Sequence, residues 1–206
     1  MELVSHTADQ AHGKAKGELE VRFEGLRLRD DRDRSLQADG NKEERGALYL
    51  GSFESSTSLD MLRAHSIHSI VHVLESCWTP TYLAHDPSST LPKSEECYNY
   101  PIHFHSVPVP DSSSPQHGEA MFKALPEATE FIKEGLRRGN VLVHCFQGVS
   151  RSATVVIAFM MREKGWTYEE ALKYVVGKRD GVKPNEGFVK ILKKWEKDGA
   201  KEPWPQ

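Results

Sequence analysis

An α/β fold, with a mainly parallel central sheet flanked by helices, is predicted by three features of the sequence. Short apolar runs alternate with longer segments in which apolar residues recur at three- and four-residue spacing. One run, NVLVHC (140–145), is continuously apolar until its end, as strands covered on both faces are. Glycines stand where helical patterns stop, at Gly139, Gly165 and Gly199. Residues 1–17 are polar and expected to be disordered. In 18–29 (ELEVRFEGLRLR) apolar residues alternate with charges and Gly25 shifts the phase, so a strand pair or one bulged strand is expected. A charged connector fills 30–45. ALYLGS (47–52) then reads as a strand, 58–65 as a helix and SIVHVLESC (69–77) as a strand. Pro, Ser and Thr crowd 78–96, which reads as a loop, and IHFHSVPV (102–109) is the next strand. The 119–138 segment is helical in pattern, with Pro126 expected to kink it or divide it in two. After the 140–145 strand come a helix over 152–163, another opened by the capping box Thr167–Glu170, and a last one capped by Asn185. The domain is assigned to 47–198, with 1–46 as an N-terminal extension and 199–206 as a tail.

Composition narrows the function. A length of 206 residues is enough for one domain and an extension. The net charge of −3, with both signs interspersed, argues against a nucleic-acid partner or an anionic membrane. No apolar stretch approaches the roughly 20 residues that span a bilayer, and the first residues lack a secretory pattern, so an intracellular setting, cytoplasmic or nuclear, is expected. Three cysteines, Cys77, Cys97 and Cys145, without framework spacing read as reduced thiols.

The stretch VLVHCFQGVSRSATVV (141–156) carries the chemistry. Strand, tight loop and helix follow one another, which puts the loop where helix amides lack partners and the helix dipole is positive. Gly148 allows a strained turn, and Arg151 offers a planar fork for two phosphate oxygens. Phe146, Gln147, Gly148, Val149, Ser150 and Arg151 therefore read as an oxyanion cradle. Cys145 stands at its mouth, where the same donors favour a thiolate. A thiolate under a bound phosphate is a nucleophile aimed at phosphorus. The leaving oxygen needs a proton, and Asp111, just past the 102–109 strand, is the best-placed acid; Asp86 and Asp180 are weaker candidates.

On these residues the sequence resembles the dual-specificity branch of the cysteine-dependent protein tyrosine phosphatases. The resemblance runs from about residue 47 to residue 196 through ALYLGS, SIHSIVHVLE, VPVPDSSS, VLVHCFQGVSRSATVVIAFMM and KPNEGFVKILKKWE. It implies a protein tyrosine phosphatase-like fold and phosphomonoester hydrolysis through a phosphocysteine, with no metal or cofactor. Cys145 would be the nucleophile, Arg151 would bind phosphate, and Asp111 would act first as acid and then as base. Ser152 would hydrogen-bond the sulfur, and His144 and Asn185 would brace the loop. The substrates implied are proteins carrying phosphotyrosine, phosphoserine or phosphothreonine. Where many members have alanine before the loop glycine, this chain has Gln147, and Phe146 is bulky; both side chains are expected to point outward and to bear on substrate preference.

Other branches of the resemblance fit less well. Phosphoinositide and inositol phosphate enzymes tend to place lysines in the loop, and FQGVS has none. Glucan phosphatases favour glycine before the arginine, where this chain has Ser150, and RNA triphosphatases of this fold tend to lack the aspartate, which is present here as Asp111. A phosphoprotein-binding pseudophosphatase would have lost the cysteine, arginine or aspartate. Cys77 is the candidate redox partner of Cys145, because its strand is expected beside the one leading to the loop. His65, His68 and His72 have ligand-like spacing but straddle a helix-to-strand boundary, and His103 and His105 read as ordinary strand imidazoles.

Overall fold

The computed structural model describes residues 21–23, 46–75 and 102–198. A five-stranded sheet forms its centre, built from β1 (Val21–Phe23), β2 (Leu48–Gly51), β3 (Ile67–His72), β4 (His103–Ser106) and β5 (Asn140–His144). The order across the sheet is β1-β2-β5-β3-β4, and only the edge strand β1 runs antiparallel. The mainly parallel α/β architecture is thus present. β5 is central because Val141, Leu142 and Val143 have no polar face to give to solvent, and all three are fully buried. Its neighbours are set in register, Gly51 and His72 both opposite His144. Val21–Phe23, from the expected strand region of the extension, pairs with β2, Val21 opposite Leu50. The remainder of 18–29, the polar start, the 30–45 connector, the 78–96 loop, Cys77, Asp86, Cys97 and the tail lie outside the described residues.

Among the described residues six helices cover the sheet: α1 (Phe53–Thr57), α2 (Leu59–Ala64), α3 (Pro115–Arg138), α4 (Arg151–Lys164), α5 (Tyr168–Lys178) and α6 (Glu186–Asp198). Leu62 of α2 closes a small core with Tyr49, Ile67, Ile70 and Leu142. The larger core, on the other face, holds α3 to α6. α4 runs through it with every residue from Arg151 to Met161 buried, and packs against α3, α5 and α6. Phe159, Phe188 and Trp195 are each essentially fully buried there, a burial worth roughly 1.5–3 kcal/mol for a phenylalanine. Trp195 spends its one donor on the Ala158 carbonyl, 3.2 Å away. Among the described residues no helix is long and apolar enough to cross a membrane.

Several boundaries differ from expectation for physical reasons. α3 starts at Pro115, capped by the Ser114 hydroxyl, and not at residue 119, because cap and proline make the entry in a stretch too polar to show periodicity. It then runs unbroken past Pro126, so it is not two abutting helices; buried Leu125, Ala128 and Ile132 hold both halves to the core. α1 has no apolar period and was not predicted; buried Ser55 and Ser56 and the Ser56 hydroxyl bond to the Phe53 carbonyl support it. β4 ends at Ser106, three residues early, where Pro108 and Pro110 remove ladder donors. The capping box at Thr167 and the Asn185 cap on α6 both form.

Candidate active site

The parallel arrangement of β2, β5, β3 and β4 gathers their carboxyl ends along one edge, where open α/β sheets bind ligands. Cys145 follows β5 at the middle of that edge. The loop after it turns its carbonyls outward. The Phe146 carbonyl accepts from the Phe53 amide (3.1 Å), that of Gln147 from Arg179 Nη2 (3.0 Å), and that of Val149 from the Lys183 amide (3.0 Å). Three donors from outside the loop thus free its amides to face inward. Gly148 makes the turn: its φ is +74°, and a Cβ there would lie 2.6 Å from the Gly51 carbonyl oxygen.

The inward donors converge on sulfur. The Gly148 amide lies 3.2 Å from Cys145 Sγ and the Ser152 hydroxyl 3.1 Å. Burial pushes the thiol up, but the Ser152 hydroxyl, the Ser152 and Gly148 amides and the Arg151 charge outweigh it, so the thiol is held below its ordinary value. Ser150 sits at the N-cap of α4 without capping it, which leaves the first amides of the helix open to an anion. Arg151, the first residue of α4, is buried, and its Nε has no hydrogen-bond acceptor among the described residues.

The Ser150 hydroxyl is used elsewhere. It donates to Asp111 Oδ1 at 2.8 Å, and Asn185 Nδ2 donates to the same oxygen at 2.7 Å. The Asn185 amide returns a bond to Ser150 Oγ at 3.2 Å. Asp111 Oδ2 faces Arg151 Nε at 3.8 Å. With two donors on Oδ1, the proton of a neutral Asp111 carboxyl belongs on Oδ2, beside the cradle. α6 can approach the Asp111 loop this closely because residue 187 is glycine: a Cβ there would lie 2.8 Å from Ser113 Cα.

Behind the loop, His144 Nε2 lies 3.1 Å from His72 Nδ1, and His144 Nδ1 lies 3.3 Å from the Cys145 carbonyl. Burial, then the neighbouring His72, lower the His144 pKa to about 3, so the ring is neutral at ordinary pH. A carbonyl only accepts, so His144 carries its proton on Nδ1 and takes the His72 Nδ1–H on Nε2. The structure therefore brings Cys145, Phe146–Arg151, Ser152, Asp111, His144 and Asn185 together. Asp180 lies past the end of α5, and Cys77 and Asp86 are outside the described residues. Among the described residues no group of three or more His, Cys, Asp and Glu side chains is arranged to hold a metal ion. Four contributors were not assigned to this site in the sequence: His72, Arg179, Phe53 and Gly187. His72 stood only among ligand-spaced histidines; its place opposite His144 needed the strand register. Arg179 and Phe53 act through backbone carbonyls, which leave no signal in side-chain spacing.

A cysteine favoured as thiolate inside an anion-binding loop, with a guanidinium and a carboxyl beside it, defines the class of cysteine-dependent phosphoesterases. The comparisons narrow the class. Residues 48–198 match the dual specificity phosphatase catalytic domain. Dual specificity protein phosphatase 1 of Arabidopsis thaliana is 32% identical over 170 residues, 82% of this chain and 72% of that protein. Human dual specificity protein phosphatase 9 is 34% identical over 151 residues, 73% of this chain but only 34% of its own length. The solved structure of DUSP15 superposes with a TM-score of 0.60 at 30% identity, covering 78% of this chain and 89% of that one. The chain belongs to the dual specificity phosphatase family, and its 48–198 domain is that of a cysteine-dependent protein phosphatase.

Proposed function

We propose that this chain hydrolyses phosphotyrosine, phosphoserine and phosphothreonine in proteins, without a metal, in two steps through a phosphocysteine on Cys145. The convergence of the Ser152 hydroxyl and the Gly148 amide on Cys145 Sγ carries this reading. In the first step the thiolate attacks phosphorus, the bond from phosphorus to the substrate oxygen breaks, and Asp111 gives its Oδ2 proton to that oxygen. The loop amides and Arg151 hold the three equatorial oxygens, and Arg151 Nε gains an acceptor. In the second step Asp111 takes a proton from water, water oxygen bonds to phosphorus, and the phosphorus–sulfur bond breaks. Ser152 donates to the departing sulfur. Ser150 and Asn185 keep Asp111 aimed, while His144 holds the Cys145 carbonyl away from the cradle.

Substrate class rests on the relatives, which are described as protein phosphatases, and on a loop without lysines. A phosphoprotein partner, rather than nucleic acid or membrane, and a cytoplasmic or nuclear setting go with it, as does a catalytic unit of 47–198 with flanking segments. The test is phosphate release in EDTA from phosphotyrosyl and phosphothreonyl peptides, inositol hexakisphosphate, phosphorylated glucan and a 5′-phosphorylated RNA. Peptide turnover is expected, with none for Cys145→Ser and roughly 10²–10⁴-fold slower turnover for Asp111→Asn. Turnover confined to the inositol phosphate, glucan or RNA would replace the substrate class, and peptide binding with no phosphate release from anything would make the domain a binding module.

A further inference from the structure

Phe146 is the most exposed large apolar side chain among the described residues, at 64%, and it directly follows the nucleophile. Single exposed apolar residues are common on protein surfaces; the place and the support of this one are what matter. Its ring stacks on Phe53, with centroids 6.4 Å apart and planes inclined by 26°. The Phe53 amide holds the Phe146 carbonyl at 3.1 Å, so backbone and ring are fixed by the same residue. Phe53 in turn lies against His144, with ring centroids 6.5 Å apart. The pair therefore forms an aromatic wall at the rim of the cradle, just past the end of β2.

The sheet order sets what stands opposite. β2 lies beside β5 on one side and β4 lies beyond β3 on the other, and Asp111 follows β4. With Asp111 as the acid of the proposed mechanism, the ester oxygen of a phosphate over Cys145 would point toward Asp111, and the group it carries would leave the cradle between the Asp111 loop and the Phe53–Phe146 pair. In a phosphotyrosine, that group is an aromatic ring one atom from phosphorus, with a face to present. In a phosphoserine or phosphothreonine it is one or two carbons, followed at once by polar peptide backbone. Only the first gains from an aromatic neighbour.

We infer that Phe146, supported by Phe53, is a specificity-determining residue that binds the phosphotyrosine ring and biases the enzyme toward aryl over alkyl phosphate esters. This rests on the proposed protein phosphatase function and refines it. Aromatic pairing and the area it buries correspond to roughly a tenfold preference.

The test compares kcat/KM for phosphotyrosyl and phosphothreonyl versions of one peptide, with Phe146→Leu and Phe146→Tyr beside the unaltered chain. The Cys145 alkylation rate is recorded for each to report on the cradle. The expected result is a phosphotyrosine-to-phosphothreonine ratio that falls roughly tenfold in Phe146→Leu and returns in Phe146→Tyr. An unchanged ratio, or a loss that Phe146→Tyr fails to restore, overturns the aromatic wall and leaves the protein phosphatase function standing. If the unaltered chain hydrolyses neither peptide while it releases phosphate from inositol hexakisphosphate, both fall together.

Discussion

Cys145 is prepared by its neighbours before any substrate arrives. An ordinary thiol titrates near roughly 8.5, and this one is held lower by the Ser152 hydroxyl, two amides and Arg151 against the opposing effect of burial. The sign is definite: the folded-state value lies below the unfolded one, so the thiolate persists on the acid side of the usual thiol range. Iodoacetamide alkylation of Cys145 should therefore show a midpoint below that of a model thiol, and Ser152→Ala should move it upward. A midpoint unmoved by Ser152→Ala would remove the hydroxyl from the set of causes. His144 is also shifted downward, but there the fold favours the neutral form. Its pKa falls to about 3 on folding, so the unfolded chain binds the extra proton first. The stability this costs is absent above roughly pH 6.5 and grows as pH falls toward 3. Thermal melts should show a Tm that drops below pH 6.5, and drops less in His144→Gln. Cys145 and Arg151 were legible in the sequence as reactive side chains in a recognisable local pattern, Asp111 by its place past a strand end, and Ser152 through the family resemblance. Ser150 was legible only as part of the loop; its bond to Asp111 joins residues far apart in the chain and follows from the fold.

At the scale of elements, two glycines set the distances on which the site depends. Gly148 needs its φ of +74°, and a side chain there would meet the Gly51 carbonyl of β2. Gly148→Ala should cost about 1–3 kcal/mol of backbone strain or distort the loop, and either effect should lower the Cys145 alkylation rate. Gly187 lets α6 lie against the backbone of Ser113, two residues beyond Asp111. Gly187→Ala should push the Asp111 loop away, lowering kcat/KM on phosphopeptides while Cys145 alkylation stays as it was. Equal loss in both readouts would mean the substitution damages the cradle itself. Gly148 was marked by its place in a tight loop. Gly187 was not, because close approach of two distant segments leaves no trace in either one alone. Element boundaries failed for a related reason: α1 and the start of α3 are held by serine hydroxyls, a proline and tertiary burial, not by apolar periodicity.

Across the whole molecule, the sheet does the gathering. A parallel β2-β5-β3-β4 order puts the Phe53 wall on one side of Cys145 and the Asp111 loop on the other, and α6 closes over the latter through Asn185. The alternation of strand and helix patterns made the α/β class legible, but strand order and register, and with them the His72–His144 pairing, follow from packing that no single segment encodes. Among the described residues of the extension, β1 lies at the β2 edge of the sheet, the edge opposite β4. A chain starting at Gly46 should therefore keep its kcat/KM on phosphopeptides and melt at a lower temperature; lost activity would make the extension part of the site. Passage of phosphate through Cys145 is tested by denaturing the enzyme rapidly during turnover of a ³²P-labelled phosphotyrosyl peptide and mapping the label by mass spectrometry. The expected result is phosphate on Cys145, at a higher level in Ser152→Ala and absent from Cys145→Ser. Steady phosphate release with no label on Cys145 in either the unaltered chain or Ser152→Ala would contradict it.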